Sequence, residues 1–185
     1  MDGGAQTGLA GATMAPSTHR AAIPVSDADP LVRVDDDMPH IEVSRTAPKA
    51  TVVISGTASD SHTWNLVYLQ LLIQELGHAV VNLGSCVPDG LLVAECRQRQ
   101  PDLVVISSVN GHGFNDGLRL AALLSSQPEL ADTALVIGGK LGTDGLRSVG
   151  WQRRLLDAGF DRVFDGGDLA AFLTYLDRFA ERLAS

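Results

Sequence analysis

Five short β-branched runs, each followed by a stretch of helical spacing, constrain this chain more than any other feature. The runs lie at 51–54, 79–83, 103–106 and 134–137, with a weaker one at 162–164. Three of them read TVVI, AVVNL and LVVI, near-continuously apolar and without the in/out alternation of a half-solvated sheet. That pattern fits strands covered on both faces. Between them, 66–76 is apolar and stops at Gly77, a residue suited to helix ends. The stretch 88–99 opens on Pro88, where a missing N–H is harmless at a helix start. Helical spacing returns at 115–126, at 151–158 before Gly159, and at 168–183.

Strands alternating with helices imply an α/β fold with a doubly wound, five-stranded parallel sheet. A flavodoxin-like (Rossmann-like) strand order of 2-1-3-4-5 suits the length, and ligands then bind beyond the carboxyl ends of the strands near the switch point. Three loops fall there: 55–65, 107–114 and 138–150. Gly, Ser, Thr and Ala predominate in them, which leaves room for a large planar or elongated ligand, although tight turns favour the same residues.

The rest of the chain narrows the classes. Residues 1–49 are rich in Gly, Ala, Pro, Ser and Asp, carry Asp35-Asp36-Asp37 and show no sustained periodicity. They read as a disordered extension, with a short docking element near 41–43, ahead of one domain at 50–185. A formal charge of −8 with scattered basic residues argues against a nucleic-acid surface. No apolar run reaches the roughly 20 residues of a membrane helix, and no signal peptide is visible. Cys86 and Cys96 fall short of a disulfide or metal pattern and read as free thiols of a cytoplasmic protein.

Within the first loop, Asp60 and His62 are the most informative pair. A carboxylate two residues from an imidazole accepts a hydrogen bond from one ring nitrogen, which fixes the tautomer and makes the other nitrogen a better metal ligand. Asp-x-His alone also occurs in ordinary surface loops, so its weight comes from its surroundings.

Those surroundings are specific. Over roughly residues 50–180 the chain resembles the small cobalamin-binding subunit of glutamate mutase (methylaspartate mutase) and, more widely, the cobalamin-binding domains of carbon-skeleton mutases. The resemblance rests on Asp60-Ser61-His62-Thr63-Trp64-Asn65 for the family's Asp-x-His-x-x-Gly, and on Ser107-Ser108-Val109 for its Ser-x-Leu. It extends to Gly111-His112-Gly113, to Gly138-Gly139, and to the last helix-to-strand passage at 157–164. Asn65 replaces the family Gly, Val67 a Lys, Val109 a Leu, and Lys140 an expected Asn.

The resemblance implies adenosylcobalamin bound base-off, with His62 as the lower cobalt ligand and Asp60 tuning its basicity. Ser59, Ser61, Thr63 and Asn65 would complete the first loop. Ser107, Val109, Gly111, Gly113, Gly138 and Gly139 would line a slot for the nucleotide tail, Ser107 through its hydroxyl and the glycine pair through close backbone approach, while Lys140 is open to two readings, contact with a polar side chain of the cofactor or no contact. It also implies an incomplete isomerase. Cobalt–carbon homolysis and rearrangement of a small acid such as glutamate would take place on a larger barrel subunit, which holds the substrate. No residue of this chain is expected to be catalytic by itself. Trp64, Asn110 and Phe114 are open to two readings, partner contact or internal packing, and His112 to cofactor or solvent contact. His78 reads as a turn residue.

Two other classes fit the fold. A methyl-carrying corrinoid protein for a methyltransferase shares the Asp-x-His logic but usually has a helical cap before the α/β domain. A flavodoxin-like electron carrier would need a phosphate in the first loop, where Asp60 would repel it. A receiver domain would need an acidic phosphoacceptor where the third strand ends in Ser107.

Overall fold

The computed structural model describes residues 47–142 and 148–185, all within the unit Ser44–Ser185. The expected extension and its docking element therefore lie almost wholly outside the described residues. Lys49, at its end, is already tied to the domain, its N–H donating to the Gly77 carbonyl at 3.0 Å.

Five strands, β1 (Thr51–Gly56), β2 (Ala79–Asn82), β3 (Leu103–Ser108), β4 (Ala134–Gly139) and β5 (Arg162–Asp165), form one sheet in the order β2-β1-β3-β4-β5 with every pair parallel. The helices are α1 (Trp64–Glu75), α2 (Asp89–Arg99), α3 (Gly113–Ser125), α4 (Ser148–Asp157) and α5 (Leu169–Leu183). A 3-10 turn, Pro128–Leu130, precedes β4. The expected strand order holds, and the switch point lies between β1 and β3.

Strand alternation divides the apolar side chains into two layers. Val53, Val104, Ile106, Leu135 and Ile137 point toward α2, α3 and α4, where they meet Leu92, Leu120, Leu124 and Leu155. Val52, Ile54, Leu103, Val105 and Val136 point toward α1 and α5 and meet Leu66, Ile73, Phe172, Leu176 and Phe179. Full burial of one such side chain is worth about 1.5–3 kcal/mol. Two-sided burial therefore explains why these runs read as continuous rather than alternating.

The boundaries differ from the sequence expectation where it matters. Strands β1, β3 and β4 continue two residues past their apolar runs, so Ser107, Gly138 and Gly139 are strand residues rather than loop residues. Ladder hydrogen bonds require only backbone, and Ser107 pairs with Gly56 on one side and Gly138 on the other. Helix α1 starts at Trp64, placing Asn65 in its first turn, and α3 starts at Gly113, placing Phe114 within the helix. Pro88 is the extended residue before α2 rather than its first helical one.

Candidate functional site

Asp60 is the anchor of the first loop. It is buried, yet its carboxylate is saturated. Oδ1 accepts the His62 backbone N–H at 3.0 Å and the His62 ring Nδ1 at 2.7 Å. Oδ2 accepts the backbone N–H groups of Val109 at 2.6 Å and Asn110 at 3.2 Å, and the Ser108 hydroxyl at 3.1 Å. Burial pushes the Asp60 carboxyl up, but its hydrogen bonds to His62, Val109 and Ser108 outweigh that and hold it below the ordinary carboxylate range. An ionised carboxylate can only accept, so the His62 Nδ1 carries a proton, and in the neutral imidazole Nε2 then holds the free lone pair. The His62 side chain is 59% exposed. The result is a pre-oriented, accessible nitrogen donor whose partner ties the first loop to the end of β3.

A second layer supports the same loop. The Ser59 hydroxyl donates to Asp116 at 2.5 Å, and Asn110 Nδ2 donates to the Ser59 carbonyl at 2.8 Å. Asp116, buried on α3, also accepts from Arg119 at 2.9 Å, and Arg119 in turn binds Asp89 at the start of α2. Burial raises the Asp116 carboxyl, while the bonds from Ser59 and Arg119 bring it below the ordinary range. The cluster thus stays charged and holds the loop from beneath.

Beside this loop a cavity of about 240 Å³ opens over the carboxyl ends of β3 and β4, with walls that are mostly apolar. Asn65, Ser107, Val109, Gly138 and Gly139 line it. The opposite wall comes from Leu69, Phe164, Gly167 and Phe172, which sequence reasoning missed. A signal for that wall was present: Gly166-Gly167 directly follows β5, and both glycines have positive φ. Ser108 and Asp116 were missed as well, because nothing in their local spacing shows that they face the first loop.

Several expected residues stand elsewhere. Gly111 (φ 83°) donates its N–H to the Lys140 carbonyl at 3.2 Å, joining the second loop to the third. Gly113 is buried under Leu141 and Ser108, where a Cβ would lie 2.8 Å from a Leu141 methyl, so its smallness serves helix packing. Ser61, Thr63 and Lys140 are exposed and lie outside the cavity lining. Phe114 is buried, its ring 4.9 Å from that of Trp151, so the packing reading holds for it. Trp64 is 86% exposed, whereas Asn110 is committed to the Ser59 loop. His78, which follows the turn at Leu76-Gly77, is buried. A larger open groove of about 1170 Å³ runs over β5 and α5, with side chains of both charges, and none of the three motif loops lines it.

Fold and site together define a class. Residues 50–169 match the B12 binding domain, and the chain belongs to that family. Its curated relatives are glutamate mutase sigma subunits. It is 29% identical over 121 residues to the one from Fusobacterium nucleatum, covering 64% of this chain and 87% of that one. It is 30% identical over 118 residues to the one from Escherichia coli O157:H7, covering 63% and 77%. Among solved structures, a cobalamin-binding protein from Desulfitobacterium hafniense superposes with a TM-score of 0.55 at 20% identity, over 70% of this chain and 58% of that one. This chain thus spans little more than half of that protein. A putative response regulator from Chloroflexus aurantiacus also reaches 0.55, at 16% identity, over 75% of this chain and 100% of that one. Both likenesses concern the fold alone. Among the described residues, no helix is long and apolar enough to cross a membrane.

Proposed function

We propose that this chain is the cobalamin-binding subunit of an adenosylcobalamin-dependent mutase of the glutamate-to-3-methylaspartate type. One observation carries the reading: a buried carboxylate fixes the His62 tautomer, leaving Nε2 available beside a cavity that ends in paired glycines. The residues present fit the cofactor. His62 would supply the lower cobalt ligand, Asp60 would keep it basic and oriented, and the cavity would take the nucleotide tail. Ser107 would offer the tail a hydroxyl, and Gly138 and Gly139 would contribute backbone to the same cavity wall. When bound, the corrinoid supplies the radical chemistry of its cobalt–carbon bond. The chain's own residues bind and orient, and the small acid substrate belongs to a larger barrel-type partner subunit. Sigma-subunit relatives support this division of labour.

The rival readings are separated by residues rather than by fold. A receiver domain shares the topology, but its phosphoacceptor position, the carboxyl end of β3, holds Ser107 and Ser108. A flavin phosphate in the first loop would meet the ionised Asp60. A methyl-carrying corrinoid protein would use the same His62, and turnover with methyl donors against turnover with a mutase partner and glutamate distinguishes it.

The test is a titration of the purified protein with adenosylcobalamin, followed by reduction to the cob(II) state and electron paramagnetic resonance. Coupling to a histidine nitrogen, confirmed with 15N-histidine, is expected. His62→Gly should abolish that coupling, and its persistence in the variant would overturn the ligand assignment.

A further inference from the structure

Asn65 stands in the first turn of α1, at the wall of the cavity, with its Nδ2 2.7 Å from the Ser107 Oγ. An amide NH2 donates and does not accept, so in this pair the serine oxygen must be the acceptor. The serine proton is then directed away from Asn65, and Ser107 itself lines the cavity. The other atom of the amide, Oδ1, is buried without a hydrogen-bond partner. A buried unsatisfied acceptor costs about 1–3 kcal/mol. Rotating the amide by 180° would satisfy Oδ1 with the serine proton, but it would leave the NH2 group buried and would remove the only hydroxyl donor that Ser107 can offer.

We propose that Asn65 is a positioning residue: it fixes the polarity of the Ser107 hydroxyl, so that the cavity presents a hydrogen-bond donor to an acceptor nitrogen on the base of the corrinoid's nucleotide tail. The inference rests on the cobalamin reading above and assigns a role to a side chain where relatives are expected to have none. A base displaced from cobalt exposes a ring nitrogen that can only accept, so a donor of fixed direction in an otherwise apolar slot recognises it. A hydroxyl free to turn toward its own neighbours would spend part of its time pointing away. Asn65 therefore acts through Ser107 rather than on the metal.

Asn65→Asp is the decisive variant, because it is nearly isosteric and reverses the hydrogen bond. A carboxylate accepts the Ser107 proton and withdraws it from the cavity. Binding of two probes is measured by absorbance titration: adenosylcobalamin, which carries the tail base, and adenosylcobinamide, which lacks it. Asn65→Asp is expected to weaken adenosylcobalamin about tenfold, the equivalent of about 1.4 kcal/mol, and to leave adenosylcobinamide within twofold. Ser107→Ala should do the same, and the double variant should be no weaker than either single one. Asn65→Ala, which frees the hydroxyl without reversing it, should lose only two- to threefold.

Equal losses for both probes would overturn the proposal in favour of a general structural role. A further loss from Asn65→Asp in the Ser107→Ala background would overturn it in favour of simple charge repulsion. Unchanged adenosylcobalamin binding in Asn65→Asp would overturn it outright. Failure of the cobalamin reading looks different, since the unmodified protein would then bind neither probe through His62. Thermal melts of each variant confirm that the comparison is made on folded protein.

Discussion

The two faces of the sheet are built from the same kind of strand and solved in opposite ways. Toward α2, α3 and α4 the interior is filled so closely that glycines are needed for the helices to approach: a Cβ at Gly117 would lie 2.8 Å from the Ile137 methyl. Toward α1 and α5 the core is equally apolar below, but at the carboxyl edge it gives way to a cavity of about 240 Å³. Helix α1, which forms one wall of that cavity, buries only Leu66 and Ile73 and leaves Trp64, Val67, Tyr68 and Leu71 exposed. The lesson is that one face supplies rigidity and the other supplies room. Asp60 joins them, because it fastens the first loop to the end of β3.

The comparison can be broken most severely at the shared edge. Gly139 has φ 111°, and a Cβ there would lie 2.2 Å from the Ser108 carbonyl oxygen, a backbone atom that cannot step aside. Gly139→Ala should therefore cost about 3 kcal/mol or more in urea denaturation. A loss under 1 kcal/mol would show that the edge is soft and that its glycine serves the cavity alone.

Asp60→Ala should come next, at about 2–4 kcal/mol, because it leaves the N–H groups of Val109 and Asn110 without their acceptor. The pH dependence gives a sharper signature. Asp60 has a folded pKa below its unfolded one, so its stabilisation is fully present above the unfolded value and is lost as pH falls through the folded value. The gap in stability between the unmodified protein and Asp60→Ala should accordingly be full at neutral pH and narrow as the pH falls below the ordinary carboxylate range. A gap that stayed constant over that range would mean that the carboxylate charge contributes nothing.

On the filled face, Gly117→Val should cost about 2 kcal/mol, since the atoms it meets are the ends of Ile137 and Leu155 and can yield in part. Calorimetry should register this as a Tm lower by roughly 4–8 °C, with corrinoid affinity unchanged at 10 °C below the new midpoint. An affinity loss would show that the two faces are coupled. The smallest effect belongs to the open side: Leu71→Gln, at an exposed position of α1, should shift stability by less than about 0.5 kcal/mol. A larger loss would mean that Leu71 is covered in solution.

Much of the fold was legible from periodicity because sheet strands buried on both faces leave unmistakable apolar runs, and because Gly77 and Gly159 mark helix ends. The ends of β1, β3 and β4 were less visible. Ser107, Gly138 and Gly139 stop looking like strand once their side chains no longer enter a packed core, although their backbones still pair. In the site, Asp60 and His62 were found because their partnership is local. Ser108 and Asp116 were not, since they reach the first loop from residues 48 and 57 positions away in the chain. The far wall of the cavity was hidden for the same reason: Phe164 and Phe172 belong to the last strand and helix, and an aromatic residue in an amphipathic helix has the same appearance whether it fills a core or bounds a hollow.

By itself, the sequence determined the alternating architecture, the strand order through its length and connection rules, and the Asp-x-His pair, because each depends on short-range pattern. Only the tertiary structure decided that the Asp60 carboxylate would be saturated from β3, that Nε2 would be the nitrogen left free, and that Asn65 would meet Ser107. Those outcomes depend on which side chains converge across the switch point. Hydrogen-bond polarity is a property of the pair in space, and neither residue carries it alone.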